Sequence, residues 1–195
     1  GQTYIVYGKG DGNPIYQNGL DVGTGGYPIP TPNGFNLNDV NKDGLRDWGT
    51  NDPYADPLGR TDAGTITVNL NGAGSFQVYG STPGAGINSP DWVGDLNNDG
   101  YADFTIQTNA AATDGRTYVV FGKADLNNID LAQVEQGIGG FAIAGSASES
   151  TGLSLGMKDV TGDGYFDIAT GGPLADPLGR TDAGIVYVSF GGPMT

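Results

Sequence analysis

The stretch DVNKDGLRD at residues 39–47 recurs as DLNNDGYAD at 95–103 and as DVTGDGYFD at 159–167. Each copy follows the pattern Asp-x-(Asn/Thr)-x-Asp-Gly-x-x-Asp. Side-chain oxygens at positions 1, 3 and 5, a glycine at position 6 and a backbone carbonyl at position 7 are how a loop encloses a hard cation. An aspartate at position 9 replaces the glutamate that completes an EF-hand at position 12, and this shorter loop suits a turn between two strands. The sequence therefore predicts three calcium-binding loops.

Ordinary turn chemistry is the alternative explanation of these loops. Asp, Asn and Gly are common in turns because their side chains bond to nearby backbone and tolerate left-handed conformations, and short acidic motifs also match by chance. Three copies that all keep the three aspartates and the glycine favour metal binding. Thr161 replaces the asparagine of the third copy, so we expect weaker binding there.

The composition predicts an all-β domain. The chain has 195 residues, enough for one domain with a substantial core, and its 36 glycines follow no collagen period. Short runs rich in aliphatic and aromatic residues alternate with turns of Gly, Asn, Asp and Pro, which is typical of many short strands. Residues 126–135 are the only weak helical candidate.

The formal net charge of −14 argues against nucleic-acid binding and against anionic membrane surfaces. Nine of the 22 acidic residues lie in the three loops. Three bound calcium ions would bring the net charge from −14 to about −8. Without metal, each loop holds three like charges in one turn, so we expect metal binding and folding to be coupled.

The chain contains neither cysteine nor histidine, which excludes an ordinary catalytic triad, a thiol nucleophile and the usual zinc site. Carboxylate pairs could hydrolyse glycosides, but the aspartates in a recognisable setting belong to the calcium loops. We therefore expect a protein that is not an enzyme. The lack of cysteine fits an extracellular location, secreted or at the cell surface, where millimolar calcium fills even weak sites. No segment approaches the length of a transmembrane helix and no signal peptide is recognised, so we expect Gly1 to be a mature or trimmed start.

Other elements repeat together with the loops. Four strand-like runs, QTYIVYGK, GTITVNLNG, GRTYVVFGK and GIVYVSFGG, align on Gly8, Gly72, Gly122 and Gly191. The decapeptide ADPLGRTDAG occurs at residues 55–64 and again at 175–184. Successive loops start 56 and 64 residues apart, a period within reach of a four-stranded propeller blade with insertions.

Each repeat predicts four strands, with the acidic loop between the first and the second. The first strands are predicted at residues 34–38, 86–94 and 152–158, and the second strands at 48–50, 104–108 and 168–171. The aromatic-rich runs are the third strands. The segments GGYPIP, GSFQVYG and GGFAIAG are the short fourth strands.

The segment DVTGDGYFDIATGGPLADPLGRTDAGIVYVSFGG resembles an FG-GAP repeat, the blade unit of integrin α-subunit propellers. Its GAP element corresponds to Gly171, Gly172 and Pro173, and the FG element is best kept at Gly34-Phe35. The run TYVVFGK, a spacer and GGFAIAG are similar to the FG-GAP arrays of large secreted bacterial surface proteins. The resemblance covers nearly the whole chain, but the second repeat departs from it where residues 109–111 are Asn-Ala-Ala and its decapeptide has shrunk to residues 113–116.

The resemblance implies a single FG-GAP region over residues 1–195, built of four-stranded antiparallel propeller blades. It divides into a partial blade at 1–32, blades at 33–80 and 81–145, and a partial blade at 146–195. About three blades are too few to close a ring, and an open blade would expose unpaired strand edges. We therefore expect either neighbouring repeats of a longer chain or self-association.

The resemblance also implies the calcium ligands. They are side chains at positions 1, 3, 5 and 9 and the carbonyl at position 7: Asp39, Asn41, Asp43, Leu45 and Asp47 in the first loop, Asp95, Asn97, Asp99, Tyr101 and Asp103 in the second, and Asp159, Thr161, Asp163, Tyr165 and Asp167 in the third.

Two further pairs of residues have more than one interpretation. Arg60 and Arg180 lie in the decapeptides beside aspartates, so they either form salt-bridged turns or contact a partner protein or an acidic sugar. Trp48 aligns with Phe104 and Ile168 and is predicted to lie in the core between blades. Trp92 is predicted to pack in the core, or else to stack on a sugar or a second chain.

Together these features predict an extracellular calcium-binding propeller module that acts in adhesion or as a structural subunit of a surface assembly. A carbohydrate-binding module is the alternative, and an enzyme acting on polysaccharide is the third possibility. The expected partners are calcium, further repeats or copies, and a protein or glycan ligand, without nucleic acid or membrane insertion.

Overall fold

The computed structural model describes residues 4–6, 26–28, 34–88, 90–108, 115–144 and 153–192. Within these residues the protein is all-β, with fourteen strands in four sheets. The all-β prediction is confirmed. The blade boundaries and the arrangement of sheets as a propeller stay predictions, and most of the partial blade at 1–32 lies outside the described residues.

The second and third sheets are each built on an antiparallel run of four strands. The first sheet pairs β1 (Tyr4–Val6) with β2 (Gly26–Pro28). The second contains β3 (Phe35–Asn38), β4 (Asp47–Asp52), β5 (Thr65–Leu70) and β6 (Gly74–Tyr79), with β10 (Ile129–Asp130) added parallel to β6. The third contains β7 (Asp91–Gly94), β8 (Asp103–Gln107), β9 (Arg116–Val120) and β11 (Gly140–Ala144). The fourth contains β12 (Leu153–Lys158), β13 (Asp167–Gly172) and β14 (Ile185–Ser189).

The predicted strand order is observed in the second, third and fourth sheets, and each acidic loop joins the first two strands of its sheet. Strand β7 starts at Asp91, later than predicted, directly after Pro90. A proline has no N–H to donate to the neighbouring strand β8, so it limits how far back the strand extends. The weak helical candidate contains one short helix, α1 (Leu131–Val134), whose first turn is capped by the Asp130 side chain.

Hydrophobic side chains fill the space between the second and third sheets and that between the third and fourth sheets. Alternate residues of β5 point into a first cluster that lies between the second and third sheets and includes Ile66, Val68, Phe104, Ile106 and Tyr118. A second cluster, between the third and fourth sheets, contains Val93, Leu96, Val119 and Ile168, with Phe121, Phe141 and Ile143 packed against it. Burying such a side chain stabilises a fold by about 1.5–3 kcal/mol, so the alternation along each strand decides which face meets the next sheet.

The alignment of the third strands on Gly72 is wrong by one residue. The backbone N–H groups of Gly122 and Gly191 each donate to the aspartate at position 9 of their loop, and in the second sheet Asn71 makes this bond. Gly72 instead lies in the turn between β5 and β6, where its φ of 85° favours glycine. Gly72 therefore matches the repeat in sequence, but the structural equivalent of Gly122 in the second sheet is Asn71.

Gly122 stands in a space that admits no side chain. A Cβ there would lie 2.5 Å from the carbonyl oxygen of Ala102 and 2.8 Å from that of Val40. We expect Gly122→Ala to lower the free energy of unfolding by about 1–3 kcal/mol, because backbone must move to relieve the overlap. Urea denaturation measures this change. Gly192→Ala is the matched control, since no atom lies within 4 Å of its added Cβ, and equal losses for the two variants would contradict the prediction.

Candidate metal-binding loops

The first acidic loop is folded by its own aspartates. The two carboxylate oxygens of Asp39 accept hydrogen bonds from the backbone N–H groups of Asp43 and Gly44, each at 2.9 Å. Asp43 Oδ1 accepts from the N–H of Leu45 at 2.8 Å, and its Oδ2 accepts from the Asn41 amide at 3.0 Å. The side chains at positions 1, 3 and 5 are therefore turned toward one another.

The other two loops repeat this conformation. Position 1 accepts from the N–H groups of positions 5 and 6, and position 5 accepts from that of position 7, in both the second and the third loop. The glycines at position 6 have φ of 86°, 91° and 91°, a region that glycine enters without strain. At position 3, the Asn97 amide donates to Asp99, whereas the Thr161 hydroxyl donates to Asp159. Among the hydrogen bonds between side chains within the loops, only that of the third loop differs, at the position where the sequence differs.

The aspartates at position 9 lie below the loops, in the protein interior. Asp47, Asp103 and Asp167 are at most 1% exposed. One oxygen of each accepts from the N–H at position 2 of its own loop, at 2.7–2.8 Å. The other accepts from an N–H one or two residues beyond the end of the third strand, at 2.9–3.0 Å. Each carboxylate therefore joins the loop, the second strand and the end of the third strand.

Burial makes two of these carboxylates, those of Asp47 and Asp103, costly to ionise in the absence of metal. Desolvation raises the pKa of Asp47 to about 6 and that of Asp103 to about 7, against the opposing effect of their backbone hydrogen bonds. The other two aspartates of each loop raise the pKa further through like-charge repulsion. A cation nearby would favour the ionised form of both residues.

The donor set fits a hard cation by its chemistry. Carboxylate and amide oxygens are the ligands that calcium takes, and each ionised carboxylate keeps accepting capacity beyond two hydrogen bonds. Within the described part of the chain, however, no group of three or more acidic side chains is gathered as it stands into a metal-binding cluster. Positions 1, 3 and 5 are exposed or half-buried and position 9 is enclosed. The fifteen predicted ligands, which include the carbonyls of Leu45, Tyr101 and Tyr165, stay a prediction.

Lys42 connects two loops, a contact that the sequence analysis missed. Its Nζ donates to the carbonyl oxygen of Asp99 at 3.0 Å and lies 5.4 Å from the centre of the Tyr101 ring. Asn98 and Gly162 stand at the same position of the other loops. A lysine inside an acidic loop was the signal, since such a cation needs an acceptor within reach.

Arg60 forms its ion pair with an aspartate of a distant segment and not with one of its own turn. Its guanidinium makes two parallel hydrogen bonds to the Asp130 carboxylate, at 2.7 and 2.8 Å, and a third to the Gly80 carbonyl. This contact lowers the pKa of Asp130. The aspartates beside the arginines instead accept from their own turns, Asp56 from the N–H of Asp62 and Asp176 from that of Asp182. Arg180 is exposed and has no ion pair among the described residues.

The two tryptophans lie in unlike surroundings. Trp48 is half-buried. Trp92 is 40% exposed, so the prediction that it packs in the core is wrong. With Tyr101 and Phe166 it lines an open groove beside the first two acidic loops. Phe104 lies opposite Trp92 in the ladder and belongs to the first hydrophobic cluster. Val93, the next residue of β7, belongs to the second cluster, on the other side of the third sheet.

The ion pair of Arg60 gives a prediction with an internal control. We expect Arg60→Ala to lower the free energy of unfolding by about 1–3 kcal/mol, because it leaves the half-buried Asp130 carboxylate unpaired. Arg180→Ala makes the same change in the second copy of the decapeptide and should cost less than about 0.5 kcal/mol. Urea denaturation of both variants measures the difference. Equal effects would show that the Asp130 contact contributes nothing.

The raised pKa values predict how stability varies with pH without metal. Because Asp103 has a higher pKa when folded than when unfolded, its protonation favours the folded state, and that stabilisation is lost as pH rises from about 4 through 7. In chelator we expect the melting temperature to rise when the pH is lowered from 7.5 to 5. Asp103→Asn removes the titration, so its rise should be smaller. An equal rise in the variant would assign the effect to general charge repulsion instead.

A family model of the FG-GAP repeat matches residues 151–189. The match contains the third acidic loop, the second decapeptide and strand β14. No curated protein sequence matches this chain. No helix among the described residues is long and apolar enough to cross a membrane. The chain therefore carries an FG-GAP repeat at residues 151–189, and the family resemblance is confirmed there.

Proposed function

We propose that this chain is an extracellular calcium-binding module of the β-propeller type, which acts in adhesion or as a structural subunit of a surface assembly. The carrying observation is the shared conformation of the three loops, in which the side chains at positions 1 and 5 accept the same backbone hydrogen bonds. The FG-GAP match over the third loop supports the propeller class. Loops of one conformation and one donor set fit one ligand.

Calcium would be held by the side chains at positions 1, 3, 5 and 9 and by the carbonyl at position 7 of each loop. The ion would supply positive charge where three aspartates lie in one turn of a chain with net charge −14. The protein contributes the fixed loop, because backbone N–H groups already orient the carboxylates of Asp39, Asp95 and Asp159. The role of the metal is thus structural: it stabilises the turn between the first two strands of each blade.

The kind of site supports an extracellular location. Each loop offers three aspartates, one amide or hydroxyl oxygen at position 3 and one backbone carbonyl at position 7. It lacks the bidentate glutamate of an EF-hand. Sites of this kind fill at the millimolar calcium found outside cells. The absence of cysteine in the sequence means that metal, rather than disulfides, would stabilise the fold.

Calcium titration tests this function. We expect about three ions per chain by isothermal titration calorimetry, and a melting temperature several degrees higher in millimolar calcium than in chelator, because metal bound only to the folded state stabilises it. Asp99→Asn should remove one ion. Asp91→Asn, the same change at an exposed position outside the loops, should leave three. Identical melting curves with calcium and with chelator would refute the proposal.

Carbohydrate binding is the second candidate, and the exposure of Trp92 favours it. Aromatic rings at an open groove can stack on a sugar, and Trp92, Tyr101 and Phe166 all line one groove. If this groove binds glycans, Trp92→Ala should abolish binding on a glycan array. Tyr54→Ala, at an exposed aromatic that does not line this groove, should keep it. If the protein binds no glycan on a diverse array, carbohydrate binding is refuted and the structural role remains as the single candidate.

A further inference from the structure

The fourth sheet exposes a hydrophobic face that is buried in the second sheet. Strands β5 and β14 follow the two copies of the decapeptide and pair with their neighbours in the same register, Ile66 opposite Asn51 and Val186 opposite Gly171. At equivalent positions of these strands, Ile66, Val68 and Leu70 are 0%, 0% and 3% exposed, whereas Val186, Val188 and Phe190 are 57%, 47% and 68% exposed. The difference lies in what covers each face.

The internal interface shows what covers such a face. The β5 residues cluster with Phe104, Ile106, Tyr118 and Val120 of the third sheet. On the other side of the third sheet, Val119 of β9 and Phe121, which follows β9, cluster with Ile168 of the fourth sheet. Each sheet thus presents this face of its third strand to the next sheet. No described residue forms a sheet against the equivalent face of β14.

The first sheet repeats the register of the part of the third sheet that covers β5. Its ladder pairs Tyr4 with Pro28, Ile5 with Tyr27 and Val6 with Gly26. The third sheet pairs Tyr118 with Ala142, Val119 with Phe141 and Val120 with Gly140. The runs TYIVYGK and TYVVFGK match residue for residue except at two conservative changes. Tyr4 and Val6 therefore hold the register positions of Tyr118 and Val120, two of the residues that cover β5.

We propose that the exposed face of the fourth sheet, formed by Val186, Val188 and Phe190, docks the first sheet of a second copy of this chain. This inference rests on the assembly role proposed above and specifies its interface, but it does not require calcium. The two surfaces are different patches of one molecule, so the contact is head to tail. Repeated contacts of this type close into a ring or continue as a filament.

The charges give the proposed interface a distinguishing property. In the internal interface, Asp130, eight residues after Gly122, binds Arg60 of the preceding decapeptide. Eight residues after Gly8 the first repeat has Tyr16 instead of an acid. The sequence of the first repeat thus has no acidic residue at the position equivalent to Asp130. Hydrophobic contact carries the association, and Arg180→Ala should change it by less than about twofold.

Sedimentation velocity over a range of concentrations in millimolar calcium tests the proposal. We expect the unmodified chain to associate, and Phe190→Asp to weaken association at least about tenfold, because it places a charge in an apolar contact. Leu58→Asp makes the same change at a residue that is 66% exposed in the first decapeptide, and should leave association unchanged. Calcium titration of Phe190→Asp should still give the ion count of the unmodified chain, which separates a failed interface from a failed metal site.

Mixing two variants tests the head-to-tail geometry. Val6→Asp alters the opposite patch, so it should also block growth by itself. An equal mixture of Phe190→Asp and Val6→Asp keeps one intact interface and should form dimers that grow no further. A chain that stays monomeric at every concentration would overturn the proposal. So would an Arg180→Ala effect as large as that of Phe190→Asp, which would identify the occupant as a repeat with an acid at the position of Asp130.

Discussion

A buried aspartate in each of the three repeats holds three segments of chain in place. Asp47, Asp103 and Asp167 each use one oxygen to bind the loop that precedes them and the other to bind the end of the third strand. The cost is the burial of a carboxylate, which raises the pKa of Asp103 to about 7. A cation in the loop would offset that cost. The same residue thereby links the proposed metal site to the pairing of the strands.

The stacking of the sheets depends on this arrangement. Because the aspartate fixes where the third strand ends, it also fixes which residues of that strand face the next sheet. In the second and third sheets these residues are buried or partly buried, and in the fourth they are exposed. The acidic loops and the hydrophobic faces are therefore two parts of one repeating unit. Metal binding and association between repeats would act on the same strands.

Much of the fold could be predicted from the sequence, because turn motifs and the two-residue alternation of side chains along a strand are local features. The acidic loops, the strand order and the all-β class need only residues that lie close together in the chain. The partner of Arg60 could not be predicted in this way, since Asp130 is 70 residues away and belongs to the next repeat. The repeat alignment failed at Gly72, where a turn glycine stands one residue from the true equivalent, Asn71. The exposure of Trp92 depends on how the loops of two repeats meet, and no local pattern reports that.

The central claim is that each acidic loop holds a cation with the carboxylates that its backbone already orients. A crystal structure of the protein grown in millimolar calcium, with anomalous scattering data, tests it most directly. We expect an anomalous peak in each loop, with side-chain oxygens at positions 1, 3, 5 and 9 and the carbonyl at position 7 at about 2.3–2.6 Å from the ion. Loops that keep the hydrogen bonds described above, with no anomalous density inside them, would contradict it.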